Sequence, residues 1–423
     1  MKILMTGKGA REYATIWALR QHNPSAEIFC APGNAGIAQL ARCVAIEHQD
    51  VESLLKFAYR TQPNLTVIGP EAALAVGIAD RFRDLGLLIL APSKQAAQLE
   101  TSKVWARYFM KRNGIRVPEF RDYTDADQAQ ARVVKIGANK IVLKADGLCE
   151  GKGVVLPYDY QQARETIADM LVWGKYGEAG KRLLIEERLS GRESSCIGLS
   201  DGKTFLPFRP ARDYKRRFNG DQGLNTGGMG GYAPVPGISD VALQGIVSDI
   251  MRPAVSGMAR EGNPYVGFLY GGLMMTEEGK NYVIEFNARM GDPEASVIWP
   301  LLRSNPLDLL LAAVKGELSG VQAEWSDQVV VCVVLVSGGY PGKYEKGFPI
   351  SGIADAERLP GVLVFHAGTK FNEDGIVVTD GGRVLDVEGL GKNYDEARTR
   401  AYEAAALIQF EGKDLRTDIA AGL

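Results

Sequence analysis

The sequence predicts an α/β protein whose N-terminal part is built on a parallel sheet. Three observations predict it. Short apolar runs alternate with helical stretches over residues 1–100. A glycine turn, Gly7-Lys8-Gly9-Ala10, follows the first run. Further on, apolar strands flank a second glycine-rich loop from Asp146 to Gly153. Strand–helix alternation lays strands side by side in parallel and gathers their loops at the carboxyl edge.

The elements follow in order. Residues 2–6 read as a strand, 11–22 as a helix, and 27–31, 65–69 and 87–91 as further strands. The first turn offers backbone N–H groups and a helix N-terminus, a place that suits phosphate. The full GxGxxG dinucleotide fingerprint fails, because Glu12 stands at its last position and no acidic partner follows at a clear strand end. Nicotinamide binding is therefore not expected. Pro92-Ser93 turns the chain into a helix over 95–113, which Gly114 and Pro118 break. Two strands lie within 141–155, an amphipathic helix spans 159–172, and a strand over 182–187 ends in Glu186 and Glu187. The segment 213–236 is polar, glycine-rich and too aperiodic for a helix, so it reads as a long functional loop or a disordered one. A helix over 241–260 and a hairpin from 267–276 and 281–285 come next. After Leu318 the composition shifts, and 329–336 with later β-rich runs suggests a separate small unit.

Bulk properties narrow the function. A chain of 423 residues with 46% hydrophobic content supports two to four packed units. A net charge of −2 gives no basic excess for a nucleic-acid groove. No apolar run approaches the ~18 residues of a membrane span, and the N-terminus reads as a buried strand, not a signal peptide. Five scattered cysteines without CxxC spacing fit a reduced cytoplasm, and three dispersed histidines argue against a zinc site.

Three clusters carry chemistry. Lys144 closes an apolar strand and Lys152 sits between glycines, so two compact charges bracket a loop that can approach phosphate oxygens. The GxxxxGK[ST] spacing is absent, and a solvated hairpin turn is the plain alternative. Glu186 and Glu187 end a strand where carboxylates either face solvent or accept from an adenosine. Glu285 and Asn287 alternate onto one strand face and offer hard oxygens suited to magnesium. Arg289 continues the alternation and can hold a transferred phosphate or acyl oxygen, or form a structural ion pair.

These residues sit in a series of longer motifs. Gly33-Asn34-Ala35-Gly36, Gly69-Pro70-Glu71, Gln98-Leu99-Glu100-Thr101-Ser102-Lys103, Lys144-Ala145-Asp146-Gly147 and Gly151-Lys152-Gly153-Val154 come first. Asn225-Thr226-Gly227-Gly228-Met229-Gly230, Gly267-Phe268-Leu269-Tyr270, Glu285-Phe286-Asn287 and Gly338-Gly339-Tyr340-Pro341-Gly342 follow in order. Together with Phe365-His366-Ala367-Gly368-Thr369 and Gly381-Gly382-Arg383-Val384 they make nearly the whole chain resemble the phosphoribosylamine–glycine ligases of purine synthesis, members of the ATP-grasp superfamily.

The resemblance implies an ATP-grasp fold. It divides the chain into an N-terminal pre-ATP-grasp domain (1–100), an ATP-grasp domain (101–325) with a mobile lid near 116–189, and a small C-terminal domain (326–423). It implies ATP, with Mg2+ or Mn2+, in a cytoplasmic monomer or weak oligomer that acts on an amino acid and phosphoribosylamine or a similar amine, without nucleic-acid or membrane partners. By motif, Lys103, Lys144, Gly151, Lys152 and Gly153 would contact nucleotide phosphates, with Glu186, Glu187 and Glu193 also on the nucleotide. Glu285 and Asn287 would hold the metal, and Arg289, Lys215 and Asp213 would serve catalysis. Gly9, Asn34, Gly36, Pro70, Glu71, Arg212, Tyr214, Asn225, Gly227, Gly228, Asp292 and Glu294 would face the substrates.

The sequence departs from the family unevenly. Tyr13 replaces a histidine, Pro210-Ala211-Arg212-Asp213-Tyr214 replaces Thr-Ser-Gln-Asp-His, Leu224 replaces a proline, and Met290, Ala295 and Ser296 replace Phe, Thr and Gln. Cys149 and Glu150 stand for two alanines. Most of these changes are expected to line the acceptor and amino-acid cleft. They reflect either drift with glycine retained or a paralogue joining a different acid or amine. Arg212, a new guanidinium fork, would favour a second anionic group on the substrate.

Overall fold

The computed structural model describes residues 1–149 and 153–423. The first sheet is parallel, built from β1 (Lys2–Gly7), β2 (Glu27–Pro32), β3 (Arg42–Cys43), β4 (Leu65–Ile68) and β5 (Ile89–Leu90) in the order β3-β2-β1-β4-β5. Ile3, Leu4 and Met5 are all buried, as a central strand covered on both faces requires. The helix Ala10–His22 follows the glycine turn.

The expected helix over 95–113 is two helices, Gln98–Thr101 and Lys103–Arg112. Ser102 between them is extended, and its hydroxyl accepts from the Trp105 N–H as an N-cap. A four-stranded antiparallel sheet comes next: β6 (Phe120–Tyr123), β7 (Ile141–Ala145), β8 (Val154–Val155) and β9 (Leu183–Glu187), ordered β6-β9-β7-β8. With the helices Ala126–Ile136 and Tyr160–Leu171 it closes a small apolar core of its own.

The floor of the middle region is β10 (Arg192–Asp201), β11 (Phe205–Pro207), and the later strands β16 (Val266–Met275) and β17 (Asn281–Asn287), ordered β11-β10-β16-β17. The aperiodic segment between them is ordered. It contains β12 (Arg212–Asp213), β13 (Arg216–Phe218), β14 (Gln222–Asn225) and β15 (Gly230–Ala233). β13 and β14 pair as a hairpin. β12 and β15 join β18 (Val329–Val336), β19 (Val362–His366) and β22 (Arg383–Gly391) in one sheet, ordered β12-β15-β18-β22-β19. The hairpin β20 (Thr369–Phe371) and β21 (Val377–Thr379) stands beside it. The unit expected after Leu318 therefore includes strands from residues 212–233.

The expected helix over 241–260 runs Asp240–Ile246, widens to a π turn over Val247–Met251, and resumes over Arg252–Arg260. Pro253 lacks an N–H, and the wide turn accommodates that loss. One face of the C-terminal sheet packs with the helices Ala10–His22 and Glu294–Ile298 in a shared core, and the helix Tyr394–Leu407 helps cover the other. No helix among the described residues is long and apolar enough to cross a membrane.

Candidate active site

β17 and the loop after it run through a cleft of about 550 Å3 bounded by the first sheet's carboxyl edge, the small antiparallel sheet and the C-terminal sheet. Ile284 and Glu285 lie towards the small sheet, Asn287 and Arg289 follow, and Asp292 and Glu294 lie towards the N- and C-terminal parts.

At the small sheet, Lys144 on β7 is buried with its Nζ 2.7 Å from Glu186 Oε2, and it donates to the Ile284 carbonyl at 2.9 Å. Arg107, from the helix Lys103–Arg112, forks onto the same carboxylate and also reaches the Ile284 carbonyl. Burial draws the Lys144 ammonium below its usual value, and Glu186 restores only part of it. Burial would raise Glu186, but Arg107 and Lys144 hold its carboxyl below the ordinary range. Two cations against one anion leave a surplus positive charge beside the cleft.

Lys103 Nζ donates to the Gly147 carbonyl at 2.9 Å. The Asp146 carboxylate accepts from the Val104 N–H at 2.8 Å and the Ser102 hydroxyl at 3.0 Å, so the loop after β7 is tied to the helix N-terminus. Gly153, Glu187 and Glu193 also line the cleft, beside an apolar slot of Val142, Val154, Leu156, Leu189, Met274 and Phe286. Gly151 and Lys152, expected to contact phosphate, lie outside the described residues.

The middle of the cleft sets alternating charges beside one another at 3.3–3.6 Å. Lys215 Nζ lies 3.6 Å from Glu285 Oε1 and 3.3 Å from Asp213 Oδ2. Burial would raise the Glu285 carboxyl, but Lys215, Lys144 and Lys103 hold it at about 2. Burial opposes the Lys215 charge, which Asp213 outweighs, so its ammonium sits well above the ordinary value. Arg289 donates to Asn287 Oδ1 at 3.3 Å, while its Nε stands 3.4 Å from Glu100 and 3.5 Å from Glu71 and makes no hydrogen bond. Burial pushes Glu100 up to about 7, with Arg289 opposing. Burial and the Asp213 charge likewise raise Glu294, whose Oε1 accepts from Ser195 at 3.0 Å.

At the first turn, the chain binds its own carboxylate. Glu12 Oε2 accepts from the Gly9 N–H at 2.6 Å, and Oε1 accepts from Arg11 Nε at 2.6 Å. The N–H that suits a phosphate is thus occupied. The residue that spoils the dinucleotide fingerprint also fills the space a side chain at Gly69 would need.

Of the residues expected to face substrates, Gly9, Pro70, Glu71, Asn225, Gly227, Asp292 and Glu294 line the cleft. Asn34 does not. Its amide donates to the carbonyls of Lys8, His366 and Ala367, and its Oδ1 accepts from Ile37, so it braces the N-terminal part against the C-terminal loop. Gly36 packs on the His366 ring, where a Cβ would fall 2.5 Å from it. Gly228, at φ +119°, lies against Pro293. Arg212 and Tyr214 turn towards the C-terminal sheet. The Arg212 guanidinium lies over the Tyr214 ring, and the Tyr214 hydroxyl accepts from the Ala420 N–H at 3.0 Å. Asp213 does not line the cleft and acts on it through its ion pair with Lys215 and its charge beside Glu294. Ala295 and Ser296 are buried, and Ser296 donates to Asp386 Oδ2 at 2.8 Å. These altered residues line the joint with the C-terminal sheet rather than the cleft wall.

Three residues escaped the sequence reading. Arg107 lies four places after Lys103 on one helix face, but its partner is 79 residues away. Glu100 stands in a quoted motif without an assigned role, and its Oε2 accepts from the Ala288 N–H at 2.8 Å. Arg383, also in a quoted motif, donates to the Gly227 carbonyl at 2.6 Å and pairs with Asp292 at 3.0 Å.

Comparison with known proteins finds similarity over nearly the full chain. Models of the N domain, the ATP-grasp (A) domain and the C domain of phosphoribosylglycinamide synthetase match residues 1–100, 101–295 and 330–422. The chain is 45% identical over 420 residues to a phosphoribosylamine–glycine ligase of Neisseria meningitidis serogroup B, covering 99% of each. It is 43% identical over 422 residues to one of Caldanaerobacter subterraneus subsp. tengcongensis, covering 100% of each. The crystal structure of the phosphoribosylamine–glycine ligase of Thermotoga maritima matches with a TM-score of 0.85 at 33% identity, over 99% of this chain and 100% of that one. In fold alone, the biotin carboxylase domain of a Hydrogenobacter thermophilus 2-oxoglutarate carboxylase, solved with MgADP, matches with a TM-score of 0.74 at 14% identity, over 98% of this chain and 91% of that one. The three domain models in sequence, with relatives similar from end to end, establish that this chain is an ATP-grasp protein and belongs to the phosphoribosylglycinamide synthetase family.

Proposed function

We infer that the chain is an ATP-dependent ligase that joins glycine to 5-phosphoribosylamine, giving glycinamide ribonucleotide, ADP and phosphate in purine biosynthesis. The observation that carries the reading is the run Glu285, Asn287, Arg289 along one strand end, between a lysine-rich nucleotide side and a polar acceptor side. No side-chain nucleophile is required. A glycine carboxylate oxygen attacks the γ-phosphorus of ATP and ADP leaves. The amine nitrogen of phosphoribosylamine then attacks the acyl carbon, the C–N bond forms, and phosphate departs as the nitrogen loses its proton.

In this reading Lys103 and Lys144 hold the nucleotide phosphates, with Lys152 and the glycines beside it completing the clamp. The apolar slot takes the adenine, with Glu187 and Glu193 beside the adenosine. Glu186 acts through Lys144, since its carboxylate is engaged by Arg107 and Lys144. Glu285 and Asn287 fit a magnesium or manganese ion: both offer hard oxygens, and neighbouring ammonium groups keep Glu285 ionised. The ion, when bound, neutralises phosphate charge and polarises the γ-phosphoryl group. Arg289 faces the charge that develops on the transferred phosphoryl and acyl oxygens, and Lys215, held by Asp213, adds a second cation. Glu71, Asn225, Asp292 and the Gly9 and Gly227 backbones line the acceptor side. The reading places the enzyme in the cytoplasm as a monomer or weak oligomer, with small molecules as its partners.

A different acid substrate loses its main motive, because Arg212 and Tyr214 face the C-terminal sheet. Phosphate release decides the substrate. Phosphoribosylamine with glycine should support turnover on the order of 1–10³ per second, and omission of either should stop it. Faster turnover with another amino acid would overturn the assignment of glycine.

A further inference from the structure

We propose that Cys332, Asp386 and Glu388 form a second cation site, outside the cleft, for one divalent ion of the zinc class. Cys332 on β18 stands opposite Glu388 on β22 in antiparallel register. Asp386 lies two residues before Glu388, so both carboxylates leave one face of the strand. All three side chains are fully buried. One ligand atom from each lies within 4.8 Å of the others.

The surroundings compensate these groups only in part. Ser296 donates to Asp386 Oδ2 at 2.8 Å, but Asp386 Oδ1 and both oxygens of Glu388 are buried without a hydrogen-bond partner. The Cys332 thiol, a weak donor, and the backbone N–H of Glu388 lie nearest the Glu388 carboxylate, and neither closes to hydrogen-bond geometry. The nearby Arg383 favours the Asp386 carboxylate by its charge, but its hydrogen bonds go to Asp292 and the Gly227 carbonyl. Arg383 makes its ion pair with Asp292 and not with Asp386.

Two buried carboxylates with a single hydrogen bond between them are costly. Protonation removes the charge, but it leaves oxygens still lacking donors. One cation answers all three free oxygens and the sulfur together. The span of the ligand atoms is compatible, after small side-chain rotations, with bonds of roughly 2.0–2.3 Å. A thiolate beside two carboxylates selects a borderline ion such as Zn2+ over Mg2+. On binding, the ion takes the place of the thiol proton and of any carboxyl protons, which go to solvent. Counting histidines and CxxC spacings cannot find this site, because its ligands are a lone cysteine and two acids on separate strands. Through Ser296 it adjoins the helix Glu294–Ile298, whose first residue lines the cleft.

The test uses the full chain, stripped with a chelator, loaded with Zn2+ without nucleotide, and desalted before elemental analysis. The wild-type chain and Glu285→Gln should each retain about one Zn2+, and Asp386→Asn/Glu388→Gln less than about a tenth of that. Loading with Co2+ gives a second readout should the double variant fail to fold. The wild-type chain should show a near-ultraviolet thiolate-to-cobalt charge-transfer band that Cys332→Ser lacks. No Zn2+ retained by the folded wild-type chain, equal retention in the double variant, or a cobalt spectrum without the thiolate band would overturn the proposal and leave the trio holding protons.

Discussion

The two halves of the cleft treat buried charge in opposite ways. Beside the small antiparallel sheet, the proposed nucleotide side, Lys144, Arg107 and Glu186 are locked together, with Lys144 2.7 Å from its carboxylate and 2.9 Å from a carbonyl. In the middle, Arg289 is spread among Glu71, Glu100 and Asn287 at 3.3–3.5 Å, with its Nε making no hydrogen bond. The first arrangement is complete before any ligand arrives. The second is electrostatically confined but geometrically slack, as suits a group that completes its bonds on a reacting oxygen. Preorganisation belongs where the ligand's shape is constant, and latitude belongs where charge moves.

The comparison breaks most severely at Glu285. Glu285→Gln removes the anion that three lysines surround, and kcat should fall by about 10³-fold or more, since metal-assisted charge stabilisation is lost. Thermal unfolding should barely change. Near-normal turnover with unchanged magnesium dependence would show that the transfer centre lies elsewhere.

Arg289→Lys sharpens the contrast. Lysine keeps the charge but not the planar fork, so a slack, multi-partner site should lose about 10²-fold in kcat while KM for ATP holds. A loss confined to KM for ATP would move Arg289 into the nucleotide half.

Arg107→Met probes the locked half. Removing one partner of the buried carboxylate should destabilise the fold by about 3 kcal/mol in denaturant unfolding. With Lys144 left to neutralise Glu186 alone, KM for ATP should rise about tenfold with a smaller effect on kcat. An unchanged KM for ATP would mean that Arg107 serves the fold only.

The smallest effect is expected at Arg212→Gln, which lies outside both halves. The kcat/KM for glycine should change by less than about twofold. A change of amino-acid preference in this variant would return Arg212 to the cleft.

What the sequence disclosed depended on how local the cause was. Four of the first sheet's five strands were legible because they are buried, continuous apolar runs between glycine and helix signals; the exposed edge strand Arg42–Cys43 was not. The strand Phe120–Tyr123 was not, since Phe-Arg-Asp-Tyr on a sheet edge carries almost no pattern. Residues 213–236 resisted reading because strands of two to four residues are held by a sheet whose other strands come a hundred residues later. The helix break at Ser102 was available as a capping signal inside an otherwise unbroken pattern. For the site, motif order located Lys144, Glu285, Asn287 and Arg289, all of which line the cleft. It could not say which way Arg212, Tyr214 and Ser296 point, because orientation there follows from packing against the C-terminal sheet. Nor could it pair Arg107 with Glu186, since no local rule relates residues that far apart.

The pairing of β15 with β18 bears on how such a gene can be cut and rejoined. A chain ended just before Val329 would keep β15 but expose its edge, the row of backbone groups that Val330 to Val333 now satisfy. An uncovered strand edge recruits other chains. Such a truncation should therefore accumulate as insoluble material instead of a smaller working enzyme. Recombination that swaps the last hundred residues as a cassette must match the seam at residues 230–233 as well as the junction itself.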